Sequence, residues 1–340
     1  MPKLLIASLS EEQDVETFLM VRGRQLRSFR DRAGTFLVLR LSDKSGEIDG
    51  KVWDDAERWY GRLKSDTVVK VTGRTRVYNG RLEMNVARVR VAREDEYAIA
   101  DFLPVSSRDR DEMVEELEEI IGSIANPHLA ALLRAVFDPE LRQQFAVAPA
   151  AKQIHHACLG GLLQHTLEVV KICRTALEIY PQVDRDLLLS GALLHDIGKV
   201  KEYSFRRSID FSDEGRLIGH IVLGEEMLVQ RARQIGSFPE DLLLRLRHML
   251  VSHHGHYEWQ SPKRPQTIEA CILHLADYFS GQVAIFDASI KAGSGPDPSW
   301  SEYNRFLDRA VFIGGGTPAP SPRDEAETVR RILEEGYEGY

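Results

Sequence analysis

Cysteine is scarce. Only Cys158, Cys173 and Cys271 occur in 340 residues, an odd number without CxxC spacing, which excludes a disulfide framework and fits a reducing compartment. All three lie in apolar helical patterns, so burial in the core is expected for each. Long hydrophobic runs are missing as well: none approaches the roughly 18 apolar residues of a membrane span, and the apolar part of Met1 to Ser8 is too short for a secretory signal. The expectation is a cytoplasmic protein with no membrane partner. There is no overall excess of positive charge, and a net charge of −8 argues against polyanion binding by the chain as a whole. With 43% hydrophobic and 28% charged residues, the composition is that of an ordinary globular protein long enough for two domains. No internal repeat is found.

Charge and histidine are nevertheless unevenly spread. Arg22 to Arg93 holds 18 Lys and Arg against 9 Asp and Glu, a local excess that points to an anionic partner for this part. Ten of the eleven histidines fall between His155 and His274. A basic half thus precedes a histidine-rich half.

Residues 1–100 are dominated by period-2 alternation. Segments near 15–26, 35–42, 46–54, 67–78 and 81–92 are predicted strands, with turns at Asp43 to Gly46 and Tyr78 to Gly80. A short helix from Asp55 to Tyr60 separates the third strand from the fourth. That order predicts a five-stranded OB-fold barrel, an architecture that commonly binds oligonucleotides. Alternation sends Leu37, Leu39, Leu41, Ile48 and Val52 inward. Phe36, Arg40, Lys51, Trp53, Lys70, Arg74, Arg76, Tyr78, Arg81 and Asn85 are left on other faces, with a bulge expected near Ala87. Aromatics among arginines suit a single strand, whose bases stack while its phosphates pair. Phe36, Arg40, Trp53, Arg74, Arg76, Tyr78 and Arg81 are therefore the candidates for contact with single-stranded RNA or DNA. The competing reading is that Phe36 and Trp53 cap the barrel and the arginines solubilise it.

Residues 101–150 read as a helical connector: a helix opened by Ser107, a break at Asn126-Pro127, a second helix to Asp138-Pro139 and a third over 140–147. These helices are expected to pack on the next domain. His128 is expected at the surface.

Residues 151–285 read as an all-α domain centred on Leu193-Leu194-His195-Asp196-Ile197-Gly198-Lys199. An apolar run marks a buried helix, and a carboxylate beside an imidazole is costly there unless something pairs with them, as a metal ion would. At about 100° per residue, Lys199 falls roughly 40° from His195 and about 60° from Asp196, so one helical face would carry all three. His165 sits on the stripe Leu162, Val169 and Ile172, and His220 follows a hairpin or loop over 203–213. His253 extends Leu242, Leu246 and Met249 with His254 beside it, while Asp277 follows Ala270 and Leu273. Five histidines and two aspartates directed inward suit manganese, iron or zinc better than calcium, and with Asp196 bridging they could hold two divalent ions. A lone inward histidine is usually a satisfied core residue. His156 and Arg216 are candidates for contacting substrate phosphate, and His274 reads as a supporting residue near Asp277.

His165, His195-Asp196 and Asp277 reproduce the H…HD…D signature of the HD-domain phosphohydrolase superfamily. The stretches His155 to Thr166, His195 to Lys199 and Ser252 to Gly255, with Phe36 to Gly46 at the front, resemble the YhaM family of 3′-to-5′ exoribonucleases, which join an OB-fold to an HD domain. The resemblance covers residues 1–285, and Gln164 stands where that family usually has an acidic residue. It implies one ion on His165, His195, Asp196 and Asp277 and a second on Asp196, His220, His253 and His254, most often manganese. Asp196 would be central to catalysis, and Lys199 would hold a non-bridging phosphate oxygen. The activity implied is exonucleolytic cleavage of single-stranded RNA, with DNA also open. Two alternatives remain: a phosphohydrolase acting on a small nucleotide, and a nucleic-acid-binding protein whose HD domain is only structural.

Residues 286–340 read as a flexible tail with a charged helix at about 323–336. Trp300, Tyr303, Phe306 and Phe312 in this tail could dock on the body or on another subunit of a homo-oligomer.

Overall fold

The computed structural model describes residues 4–29, 31–152, 156–205, 208–293, 295 and 297–314. His155, most of the Gly/Pro-rich stretch of the tail and the helix expected at 323–336 lie outside them.

Strands β1 (Asp14–Ser28), β2 (Thr35–Asp43), β3 (Gly46–Val52), β4 (Val68–Tyr78) and β5 (Arg81–Val91) close into a barrel in the order β1-β2-β3-β5-β4, with α1 (Ala56–Arg62) between β3 and β4. This is the OB-fold. β3 and β5 pair in parallel and every other pair is antiparallel. The residues assigned inward by alternation are the core: Leu37, Leu39 and Leu41 are fully buried, with Val69, Val71 and Met84 opposite them. The register between β4 and β5 skips Ala87, so the expected bulge is present, and it lies against Gly73. A Cβ on Gly73 would stand 2.2 Å from the Asn85 carbonyl oxygen, a contact only glycine avoids.

The barrel is tied to the following segment by Arg22. Its guanidinium donates to Ser42 Oγ (2.9 Å), Asp66 Oδ1 (2.9 Å) and the Phe102 carbonyl (3.0 Å). Phe102 itself is buried with Met20 and Val68.

Helices α2 (Arg110–Gly122), α3 (Pro127–Val136) and α4 (Pro139–Val147) form the connector. Asp109, rather than Ser107, caps α2, accepting from the Asp111 and Glu112 amides, and acidic residues in the first turn suit the helix dipole. Asn126 and Asp138 cap α3 and α4, each followed by proline at the first helical position, where the missing N–H costs nothing.

Next come α5 (Gly161–Ile179), α6 (Arg185–Leu194), α7 (Lys199–Glu202), the hairpin β6 (Tyr203–Ser204) and β7 (Asp210–Phe211), α8 (Asp213–Leu217), α9 (His220–Ile235), α10 (Glu240–Ser252) and α11 (Ile268–Lys291). One continuous apolar core runs from Met113 on α2 to Ala276 on α11, so the connector helices share the core of the histidine-rich part. Among the described residues no helix is long and apolar enough to cross a membrane.

The cysteines correct one expectation. Cys173 is buried and Cys158 half-buried, but Cys271 is exposed, because the inward stripe of α11 runs through Ala270, Leu273 and Ala276 and turns Cys271 outward. Beyond α11, bridges join Trp300 to Phe312 and Asn304 to Arg309.

Gly73→Ala is expected to destabilise the barrel by about 1–3 kcal/mol, the usual cost of overpacking a tight contact. Urea unfolding followed by the near-ultraviolet signal checks this, and an unchanged transition would contradict it.

Candidate metal centre and nucleic-acid interface

Leu187 to Leu194 are wholly buried on α6, and that helix ends just before the chemistry begins. His195 to Gly198 form tight turns, with i to i+3 bonds from Ile197 N to Leu194 O (3.2 Å) and from Lys199 N to Asp196 O (2.9 Å). The continuous helix expected through Lys199 is thus broken. The turns pack closely on α9: a Cβ at Gly198 would lie 2.0 Å from the His220 carbonyl oxygen and 2.6 Å from the Gly224 nitrogen. The tighter winding still brings Lys199 Nζ to 2.7 Å from Asp196 Oδ2.

Four imidazoles are fixed in the same way. Each donates from Nδ1: His195 to the Ala192 carbonyl (2.8 Å), His253 to the Leu250 carbonyl (2.7 Å), His254 to the Trp259 carbonyl (2.8 Å) and His220 to Glu202 Oε1 (2.9 Å). Carbonyls and carboxylates only accept, so Nδ1 carries a proton and the Nε2 of each ring is turned the other way. This is how metal-ligating histidines are oriented.

Those nitrogens fall into two groups. His165, His195 and Asp277 bring ligand atoms within 4.8 Å of one another, and so do His220, His253 and His254. His165 comes from α5, Asp277 from α11, and His253 and His254 from the end of α10. Asp196 lies between the groups. Its Oδ2 is 3.3 Å from His195 Nε2 and 3.6 Å from His165 Nε2, and its Oδ1 is 3.5 Å from His220 Nε2 and 3.6 Å from His253 Nε2. The sequence candidates His165, His195, Asp196, His220, His253, His254 and Asp277 therefore converge on one place.

The donor set fits divalent cations. Asp196 Oδ1, His220 Nε2 and His253 Nε2 are buried without a hydrogen bond, a costly condition that a cation between them would relieve. Protonation runs the same way. Burial holds the His165 and His253 pKa values below the ordinary imidazole value. Burial, reinforced by His253 and His220, lowers that of His254 to about 3. Neutral rings are the metal-binding form. Burial would raise the Asp196 carboxyl, but Lys199 and His195 outweigh it and hold the group well below the usual carboxylate range.

His156 reaches the edge of this site, its ring 5.6 Å from that of His165 and its Nε2 3.1 Å from Glu168 Oε2. Gln164 donates to Glu168 Oε1 (2.9 Å) and accepts from Ser106 Oγ (2.7 Å), so the amide joins an acceptor to a donor as an ionised carboxylate could not. Arg216 is exposed, with Asp210 at 3.4 Å. His274 supports the site, donating from Nδ1 to the His253 carbonyl (2.8 Å). Glu202 was not singled out from sequence, since nothing in its spacing marks it as facing His220.

On the barrel, the register carries one face across Phe36 and Arg40 on β2, Lys51 on β3, Asn85 on β5, and Arg74, Arg76 and Tyr78 on β4. Phe36 and Trp53 rings lie 4.9 Å apart, and Trp53 Nε1 donates to Asn85 Oδ1 (3.2 Å). Phe29, missed because it falls beyond the alternating segment, stacks on Trp53 at 6.0 Å, and the Arg32 guanidinium lies 3.9 Å from the Phe29 centroid. Arg40 and Arg81 are exposed. Arg76 and Lys51 each approach the buried Glu83 at 2.6 Å, and Arg74 pairs with Glu12 at 3.1 Å, so part of the positive charge is neutralised.

A pH dependence follows from the imidazoles. Unfolded histidines take up protons near pH 6.5 while His165, His253 and His254 resist, so their contribution to stability is complete above that value and is lost as pH falls from 6.5 towards 3. His195, where Asp196 overcomes burial and raises the pKa, offsets part of this. Chelator-treated protein should therefore show a falling melting temperature below pH 6.5, and excess divalent ion at neutral pH should raise it through linkage. A melting temperature indifferent to both would contradict the site.

Residues 18–92 match the family model described as an OB-fold nucleic acid binding domain, and residues 162–282 match that of the HD domain. Over 304 residues the chain is 31% identical to a protein named 3′-5′ exoribonuclease YhaM from a Geobacillus species, covering 88% of this chain and 93% of that one. Against the protein of the same name from Bacillus pumilus it is 33% identical, covering 88% and 96%. An alignment of this extent spans both halves of the molecule, and on it the chain belongs to the YhaM family.

Proposed function

We propose that this chain hydrolyses single-stranded RNA from its 3′ end in a metal-dependent reaction; its relatives are named 3′-5′ exoribonucleases. The observation that carries this reading is the pair of ligand groups flanking a single buried carboxylate, Asp196. His165, His195 and Asp277 would hold one divalent ion and His220, His253 and His254 the other, with Asp196 shared. We assign manganese, since imidazoles mixed with carboxylates suit it, and iron or zinc would be accepted by the same donors. When bound, such ions stabilise the charge that develops on a phosphodiester under attack.

The chain's own residues prepare the place for that chemistry. His165, His195 and His253 are completely buried, which keeps the ligand rings out of competition with bulk water. Burial disfavours a charged Lys199, but neighbouring Asp196 and Asp277 outweigh this and keep it an ammonium, able to hold a non-bridging phosphate oxygen. Glu202 keeps His220 in the tautomer that exposes Nε2. His156 and Arg216 are assigned to flanking phosphates of the strand. On the barrel, Phe36, Trp53, Arg40, Arg74, Arg76, Tyr78 and Arg81 would take up the upstream nucleotides by stacking and phosphate pairing. We accordingly divide the chain into a strand-binding barrel (1–100), a connector (101–150), a hydrolytic HD domain (151–285) and a tail (286–340), acting in the cytoplasm.

With manganese and a 5′-labelled oligoribonucleotide, the protein should produce a ladder shortening from the 3′ end. Asp196→Ala should lower the rate by at least about a thousandfold, more than the 10–100-fold typical of an outer-shell change, while the labelled strand is still retained. Loss of a cyclic dinucleotide without a ladder would instead establish a small-nucleotide hydrolase, and full activity of Asp196→Ala would remove the site. Phe36→Ala with Trp53→Ala should weaken long-strand binding by about 1–3 kcal/mol per lost stack. Equal losses on dinucleotides would take the barrel out of strand capture.

A further inference from the structure

Immediately after the ligands His253 and His254, Tyr257–Trp259 forms a single 3-10 turn whose two aromatic side chains face solvent, Tyr257 at 56% and Trp259 at 45% exposure. Large aromatics on a mobile loop would be unremarkable, but this turn is fixed at several points. Trp259 N and Ser261 N both donate to the His256 carbonyl, each at 3.1 Å, and Gln260 N donates to Tyr257 O at 3.0 Å. Ser261 is 3% exposed, with its hydroxyl 2.8 Å from the Lys263 carbonyl and 3.2 Å from that of Val251 near the end of α10.

The turn is also joined directly to the metal centre. The Trp259 carbonyl is the acceptor that fixes His254. The indole packs at a tilt against His256 with centroids 4.4 Å apart and lies 6.3 Å from His274, which is itself bonded to the His253 backbone. Beside it, the exposed Arg264 guanidinium lies 5.2 Å from the Tyr257 centroid. A rigid, exposed aromatic pair edged by a cation thus stands one hydrogen bond away from a candidate metal ligand.

We propose that Trp259, with Tyr257 and Arg264, forms a stacking subsite for the base of the 3′-terminal nucleotide, holding that base while its phosphodiester lies in the metal centre. This assignment rests on the exonuclease reading above and specifies where the nucleotide being removed is held. An enzyme that shortens strands of any sequence needs a contact that grips the terminal base without reading it. An aromatic face does that, because every base has a π-face and stacking tolerates sequence. Arg264 adds a cation suited to a nucleotide and keeps Tyr257 in place.

The test uses two trinucleotides that differ only in whether the 3′-terminal sugar carries a base. Wild-type protein with manganese should show a KM for the base-bearing substrate roughly tenfold below that for the abasic one. Trp259→Ala should bring the ratio close to one, and Trp259→Phe should retain most of it. Equal KM values in the wild type, or full discrimination in Trp259→Ala, would overturn the subsite. A second measurement does not depend on cleavage: calorimetric Kd values for the same two trinucleotides with divalent ions chelated. If the wild type cleaves neither trinucleotide, the exonuclease reading fails by itself. In that case a tighter Kd for the base-bearing strand that disappears in Trp259→Ala still supports stacking, and identical Kd values overturn it.

Discussion

The structure depends on burying the Asp196 carboxylate. Removing such a group from water costs several kcal/mol even after relaxation, and the cost is recovered only with close partners. Lys199 supplies one at 2.7 Å, but Oδ1 points toward His220 and His253 without a hydrogen bond. Around it four imidazoles are each held through Nδ1 by an acceptor on the far side, with Nε2 turned towards the site. Together with His165 and Asp277 they form a site organised for cations, and the surrounding helices are the means of organising it. Ligands arrive from α5, the turns after α6, the start of α9, the end of α10 and the middle of α11. Close packing at Gly198 links two of those segments, so an apparently local contact decides where His220 and Asp196 stand relative to one another.

The two halves divide the electrostatics. A basic segment inside an acidic chain forms a barrel whose outer face mixes rings with arginines, while in the HD half the charged groups at the metal site are buried and paired. On the barrel, Glu83 tempers the field by engaging both Lys51 and Arg76. Such partial neutralisation favours a ligand that supplies stacking as well as charge over any polyanion. Near the metal centre the same pairing of ring and cation recurs in Tyr257 and Arg264.

Much of this was legible in the order of residues, for physical reasons that differ by element. The barrel could be read because each strand buries one side, so alternation maps directly onto Leu37, Leu39 and Leu41. The bulge at Ala87 also announced itself as a phase change. The ligand set could be read because burying seven polar side chains on apolar stripes demands a reason. The break between α6 and α7 was not legible, since the turns there pack on α9, a partner that the local pattern does not reveal. Cys271 was misplaced because apolar neighbours on both sides concealed which way α11 faces. Glu202 and Phe29 escaped notice because their partners, His220 and Trp53, are distant in sequence, and Trp259 because it acts through a backbone carbonyl that no side-chain pattern reveals.

The most direct test of the shared carboxylate is anomalous diffraction from crystals of the protein grown with manganese. Two peaks per chain are expected, one bounded by His165, His195 and Asp277 and the other by His220, His253 and His254, with one oxygen of Asp196 on each. A single peak, or ions bound away from Asp196, would contradict the account.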